Sequence, residues 1–244
     1  MMTKLLILGG TTEASLLARA VAGQGVGAVF SYAGRVDAPK AQPITTRVGG
    51  FGGVDGFANY IRQHNITHVV DATHPFAAQM SWNAFLASES VGVPLVALTR
   101  PAWVAQKGDD WEHVADIDGA VTALNGSARR VLLALGKQNV PAFSAQPQHH
   151  YVLRLVDEPK VAPDLPHHTV VVSRGPFDLA GDQALMRKHR VDLVVCKNSG
   201  GVGAEAKLVA ARELRVPVVM INRPKVPPRR EMATIKAVLD WAAI

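Results

Sequence analysis

Short apolar runs separated by amphipathic stretches set the rhythm of this chain. Lys4–Leu8 is apolar after its first residue, and Thr12–Ala22 then places Leu16, Leu17, Ala20 and Val21 at helical spacing. The same alternation predicts a strand over Val26–Ser31, a helix over Val54–His64, a strand over Thr67–Asp71, a helix over Pro75–Ser90 and a strand over Pro94–Leu98. A second series predicts strands over Arg130–Leu135, Tyr151–Leu155, Thr169–Val172, Asp192–Cys196 and Pro217–Ile221. Helices fall over Leu179–His189 and Ala204–Leu214, and Arg230–Trp241 closes the series. Strands alternating with helices of this length imply a parallel sheet with helices on both faces.

The two series are faint copies of each other. KLLILGG (4–10) matches VLLALGK (131–137), THVVDATHP (67–75) matches VDLVVCKNS (191–199), and VGVPLVALTRP (91–101) matches LRVPVVMINRP (214–224). The landmark pairs Gly10 with Gly136, Asp71 with Cys196 and Pro94 with Pro217 keep a nearly constant offset. An internal repeat of this kind predicts an α/β chain of two Rossmann-like, doubly wound parallel-sheet domains. The join is expected near Asn125–Arg129, where Asn-Gly-Ser interrupts the pattern, giving domains 1–127 and 128–244. Ligands of such sheets lie at the carboxyl ends of the strands. The active site is therefore expected in a cleft between the domains. The first domain would carry the main pyrophosphate site of a cofactor and the second would close over substrate and cofactor.

The strand ends carry the candidate chemistry. After the first strand, Gly9 and Gly10 permit positive φ and a close approach of a ligand to the backbone, and Thr11 or Thr12 can cap the following helix. Such a turn favours a pyrophosphate, although the spacing is not GxGxxG and no P-loop lysine follows. The second strand ends FSYAGRV (30–36), with Ser31, Gly34 and Arg35 where NAD-binding folds carry an acid. A hydroxyl and a guanidinium suit the 2′-phosphate of NADP, while the position equally suits a plain surface arginine. RVGGFGG (47–53) concentrates glycine around Phe51, either to let the backbone pass close to something or as a loose loop tip. DATHPFA (71–77) places Thr73 and His74 at a strand end, with His74 open to roles as proton donor, hydrogen-bond donor or cap. In the second half, Lys137, Arg174 and Lys197 add positive charge, and Ser199-Gly200-Gly201 forms a further anion cradle.

Composition narrows the partners. Aromatic content of 6% within 48% hydrophobic residues reflects a core of Val, Leu, Ala and Ile, which suits buried parallel strands. A net charge of +6 fits either ordinary surface variation or attraction to an anion; no RNP, zinc-finger or Lys-rich segment accompanies it, so nucleic acid is not expected and a small polyanionic ligand stays open. No apolar run reaches the ~18 residues of a membrane span. The run before Gly9 is too short for a signal peptide, and Cys196 is the single cysteine, so a cytoplasmic protein without disulfides or bound metal is expected. The paired histidines 149–150 and 167–168 lack the spacing of a ligand set.

LGGTTEA, the RVGGFGG segment, DATHPFA, RGPF, KNSGG and the closing KLVAAREL, VPVVMI and RP occur in the order found in precorrin-6A reductases of cobalamin biosynthesis. The chain resembles that family over nearly its whole length. The resemblance implies NADPH-dependent hydride transfer to a double bond of a polycarboxylate tetrapyrrole, with a proton added at the neighbouring carbon, giving precorrin-6B. A related anaerobic-branch reductase uses NADH and a cobalt-containing substrate. It further implies Gly9, Gly10, Thr11 and Thr12 at the pyrophosphate, and Ser31, Gly34 and Arg35 around the adenosine phosphate. Thr73 and His74 would lie near the nicotinamide or macrocycle. Lys137, Arg174, Lys197, Ser199, Gly200 and Gly201 would meet substrate carboxylates or complete the cofactor site. Contact with neighbouring pathway enzymes is also open. Hydride transfer needs no protein nucleophile, in keeping with the lack of a GxSxG elbow.

Overall fold

The computed structural model describes residues 2–34, 40–173, 175 and 177–244. Arg35 and Arg174, both expected in binding roles, lie outside the described residues.

The first half runs β1 (Lys4–Leu8), α1 (Thr12–Ala22), β2 (Gly27–Tyr32), β3 (Thr45–Val48), α2 (Gly53–Gln63), β4 (His68–Asp71), α3 (Ala78–Val91), β5 (Leu95–Leu98), β6 (Trp111–Val114) and α4 (Ile117–Thr122). The second runs β7 (Arg130–Ala134), β8 (His150–Leu155), β9 (His168–Val172), α5 (Leu179–His189), β10 (Leu193–Lys197), α6 (Ala206–Leu214), β11 (Val218–Ile221), β12 (Arg230–Met232) and α7 (Ile235–Trp241). β3, β6, α4 and β12 add to the elements expected from the hydrophobic pattern. The segment over Arg230–Trp241 divides into a strand and a helix.

These strands form two parallel six-stranded sheets, ordered β3-β2-β1-β4-β5-β12 and β9-β8-β7-β10-β11-β6. The first five positions of each follow the strand order of dinucleotide-binding folds, with the reversal beside β1 and β7. The sixth positions are exchanged. β6 follows β5 in the chain but pairs with β11, Val218 opposite Trp111. β12 follows β11 but pairs with β5, Arg230 opposite Val96.

The compact units are accordingly Met1–Pro101 with Lys225–Ile244, and Ala102–Pro224. This corrects the expected division at 127/128. The sequence repeat does break there, between α4 and β7, but the chain leaves each unit after an Arg-Pro pair, Arg100-Pro101 and Arg223-Pro224. Periodicity reports a strand's existence; the neighbour it pairs with is a non-local matter that periodicity does not encode.

β1 shows why both faces of the first sheet are covered. Leu5 and Ile7 pack with Ala14, Leu17 and Val21 of α1 and Val238 of α7. Leu6 and Leu8, on the opposite face, pack with Phe57 and Ile61 of α2 and Ala84 and Ala87 of α3. Each such aliphatic side chain contributes about 1.5–3 kcal/mol on burial. In the second unit Leu132, Val152, Val194, Cys196, Val218 and Met220 form one core with Met186 and Leu208. No helix among the described residues is long and apolar enough to cross a membrane.

The exchange makes a sharp prediction. Val238→Asp buries a carboxylate against β1 and should destabilise by at least ~2 kcal/mol. Amide hydrogen exchange should then speed up in β1, β4 and β5, with β7, β10 and β11 unchanged. The reverse pattern would show that α7 packs in the second unit.

Candidate functional site

The site begins where β1 turns into α1. Gly9 N–H donates to the Ser31 carbonyl at 2.9 Å, extending the β1–β2 ladder. A Cβ on Gly9 would fall 2.0 Å from the Phe30 ring, so only glycine fits. Gly10 has open space around it but a φ of 119°, a conformation that favours glycine. Of the two threonines, Thr11 is the cap: its Oγ1 accepts from Ala14 N–H at 3.1 Å and donates to the Ala72 carbonyl at 2.8 Å. With that hydroxyl committed, α1 offers an anion its first-turn backbone N–H groups, beginning at Thr12.

Asp71 organises the end of β4. One carboxylate oxygen accepts from the Thr73 hydroxyl at 2.6 Å and from Thr73 N–H at 3.1 Å. The other accepts from Ser81 Oγ at 2.6 Å and from the Arg229 guanidinium, just before β12. Asp71 is 2% exposed, so this ion pair is buried. His74 accepts at Nδ1 from Phe76 N–H at 3.2 Å, an arrangement that favours the tautomer protonated at Nε2. The helix expected from Pro75 begins only at Ala78. Ala77 N–H first closes a turn onto the His74 carbonyl at 2.7 Å.

At the end of β2, buried Ser31 accepts from Arg47 Nη1 at 2.7 Å. Arg47 stands opposite Ser31 in the β2–β3 register, and its guanidinium lies 3.9 Å from the centroid of the Phe51 ring. Burial lowers its pKa from the ordinary arginine value, but a guanidinium stays charged. Sequence reasoning missed Arg47, although an arginine two residues before a glycine-aromatic run was a signal.

These three strand ends enclose a cavity of about 220 Å³. Its walls include Gly9, Gly10, Ser31, Gly34, Thr73 and His74 among the residues singled out from sequence, together with apolar Leu8, Ala33, Ala77 and Met80. A glycine cradle, a helix N-terminus and a partly apolar wall are the features that a dinucleotide site at the carboxyl edge of such a sheet requires. Thr11 and Thr12 border the turn without lining the cavity.

The second unit differs at each matching point. After β7, Gly136 has φ −66° and leads into a 3-10 helix, Lys137–Ala145, with an internal Pro141, instead of an α-helix. Lys137 is exposed there. At the end of β8, Arg154 takes the place of Ser31 and forms a buried ion pair with Asp182 at 2.6 Å. Lys197 ends β10, and Gly200 and Gly201 follow with positive φ. The Ser199 carbonyl accepts from Arg223 at 3.2 Å, the Gly201 carbonyl accepts from Trp103 Nε1 at 3.0 Å, and the Asn198 side chain bridges both backbone groups of Trp103. Lys137, Lys197, Ser199, Gly200 and Gly201 thus belong to the second unit, and none of them lines the cavity. His149 is a satisfied core histidine, bonded to Arg129 N–H and the Leu124 carbonyl. Among the described residues no three His, Cys, Asp or Glu side chains gather as a metal site requires.

The family model of precorrin-6x reductase CbiJ/CobK matches residues 4–243. The chain belongs to the precorrin-6x reductase family. A precorrin-6A reductase from Rhodobacter capsulatus is 56% identical over 99% of this chain and 96% of its own. One from Rhodococcus erythropolis is 48% identical over 94% of this chain and 93% of its own. A cobalt-precorrin-6A reductase from Priestia megaterium is 29% identical over 91% of each. Among solved structures, a CobK precorrin-6A reductase superposes with a TM-score of 0.95 at 56% identity, covering 99% of this chain and 96% of that one.

Removing the Asp71 carboxylate should be costly whatever the ligand. Asp71→Ala leaves Arg229 buried without its partner and should lower stability by about 3–5 kcal/mol in denaturant titration. A loss below ~1 kcal/mol would mean the pair is solvated.

Proposed function

We propose that the chain reduces a ring double bond of precorrin-6A to give precorrin-6B in cobalamin biosynthesis, with NADPH as reductant. The observation that carries the reading is the cavity over β1, β2 and β4, with its glycine turn into α1, in a member of a reductase family. The nicotinamide cofactor supplies the hydride. The backbone N–H groups of Gly10 and Thr12 hold its pyrophosphate above Gly9, while Ser31 and Gly34 line its adenosine half, and the first unit is therefore the cofactor-binding one. The absence of an acid at Ser31 supports the phosphorylated cofactor over NADH. The relatives named for the metal-free substrate share more identity with this chain than the one named for the cobalt form, which supports precorrin-6A itself.

Thr73 and His74 orient what the cavity holds. The hydrogen bond from Phe76 onto Nδ1 favours His74 as a neutral donor through Nε2, rather than an imidazolium that delivers a proton. Lys137, Lys197 and the Ser199–Gly201 turn, on the carboxyl edge of the second sheet, are the groups we assign to substrate carboxylates. Arg174 is assigned with them on sequence alone.

Fluorescence of bound dihydronicotinamide during titration of the purified protein should show tighter binding of NADPH than NADH, and anaerobic addition of precorrin-6A should then oxidise the cofactor. Preference for NADH would overturn the NADPH assignment. His74→Gln retains an N–H donor and should keep single-turnover reduction within ~10-fold of the parent. A loss of 10²–10⁴-fold would restore His74 as general acid.

A further inference from the structure

The NADPH reading leaves the glycine segment after β3 without a task, and Arg47 gives it one. We propose that Arg47 selects a 2′-phosphorylated adenosine, and that residues 49–53 serve to hold its guanidinium against Ser31 of the cavity wall. This rests on the cofactor reading given above and adds the determinant of its specificity.

Among the described residues, Arg47 contacts neutral groups. Nη1 donates to Ser31 Oγ at 2.7 Å and to the Gly49 carbonyl at 2.9 Å, and Nη2 donates to the Gly50 carbonyl at 2.9 Å. The Phe51 ring supports the plane at 3.9 Å, and Tyr60 lies 5.1 Å away. No carboxylate among the described residues pairs with it. A half-buried guanidinium fixed in this way, with no carboxylate paired to it among the described residues, is prepared for an anion.

The glycines explain how it is fixed. Gly49 takes φ 122°, and Gly52 and Gly53 take 81° and 83°, turns in which a side chain would be strained. Gly49 N–H donates to the Tyr32 carbonyl at 2.9 Å, and the Gly49 Cα lies 3.6 Å from where a Cβ on Gly34 would stand. Since Tyr32 and Gly34 both line the cavity, the segment lies against its wall. Ser31 occupies the strand-end position that reads the ribose 2′ substituent in dinucleotide-binding folds. An acid there would accept ribose hydroxyls and repel a phosphate; Ser31 with Arg47 behind it does the opposite.

Calorimetric titration of the full chain with 2′,5′-ADP and with 5′-AMP tests this without turnover. The parent should prefer 2′,5′-ADP. Arg47→Gln should weaken 2′,5′-ADP by ~10–100-fold while changing 5′-AMP less than ~3-fold. Arg47→Lys, which keeps the charge and loses the fork, should fall between them. Ser31→Asp, with Arg47 intact, should abolish the preference by supplying the guanidinium with an internal partner. Equal losses for both ligands in Arg47→Gln, or an unchanged preference in Ser31→Asp, would reduce Arg47 to a loop fastener and overturn the proposal. A parent that binds both ligands equally would overturn it while leaving an adenosine nucleotide site in place. A parent that binds neither would overturn the cofactor reading as well.

Discussion

β1 is bonded along both edges and covered on both faces, and the site depends on that constraint. Its neighbours β2 and β4 diverge in chain direction from the same strand, so their ends stand on either side of the β1–α1 turn. Phe30, buried against β1, removes all space for a side chain at Gly9. The chain must then bend through Gly10 into α1, and Thr11 fastens that bend to the end of β4 through the Ala72 carbonyl. Packing in the core and the glycine turn at the sheet edge are thus one arrangement seen from two sides.

Asp71 extends this rigidity outward. Its carboxylate gathers Thr73 from the cavity wall, Ser81 from α3 and Arg229 from the approach to β12. An aspartate so committed presents Thr73 in one orientation. The charge of Arg229 is offset where it is buried, so the chain's final segment is tied chemically to the floor of the candidate site.

Much of the architecture was legible because it is written in local periodicity. The runs at Lys4–Leu8, Thr67–Asp71 and Pro217–Ile221 are apolar because both sheet faces are covered, and the structure places strands there within a residue or so. Thr45–Val48 escaped because Thr-Thr-Arg-Val at a sheet edge has no buried face to advertise, and Trp111–Val114 because Glu112 and His113 point to solvent. The exchange of β6 and β12 was invisible for another reason: a short parallel strand pairs with whichever edge the tertiary fold presents. Arg154 could have been noticed, since a lone charge within Tyr-Val-Leu-Arg-Leu demands a buried partner, here Asp182. Arg229 offered less, being one of several basic residues in a proline-rich stretch.

The exchanged strands also set an order of assembly during synthesis. Residues 102–224 form an unbroken stretch, so the second unit is complete as soon as that stretch has left the ribosome. The first unit, begun earlier, must wait for residues 225–244 before its sixth strand and the helix covering β1 exist. Until residues 225–244 have emerged, the nascent chain carries an open edge on β5, and Leu5 and Ile7 are covered by α1 without α7. The unit begun first is thus the one completed second.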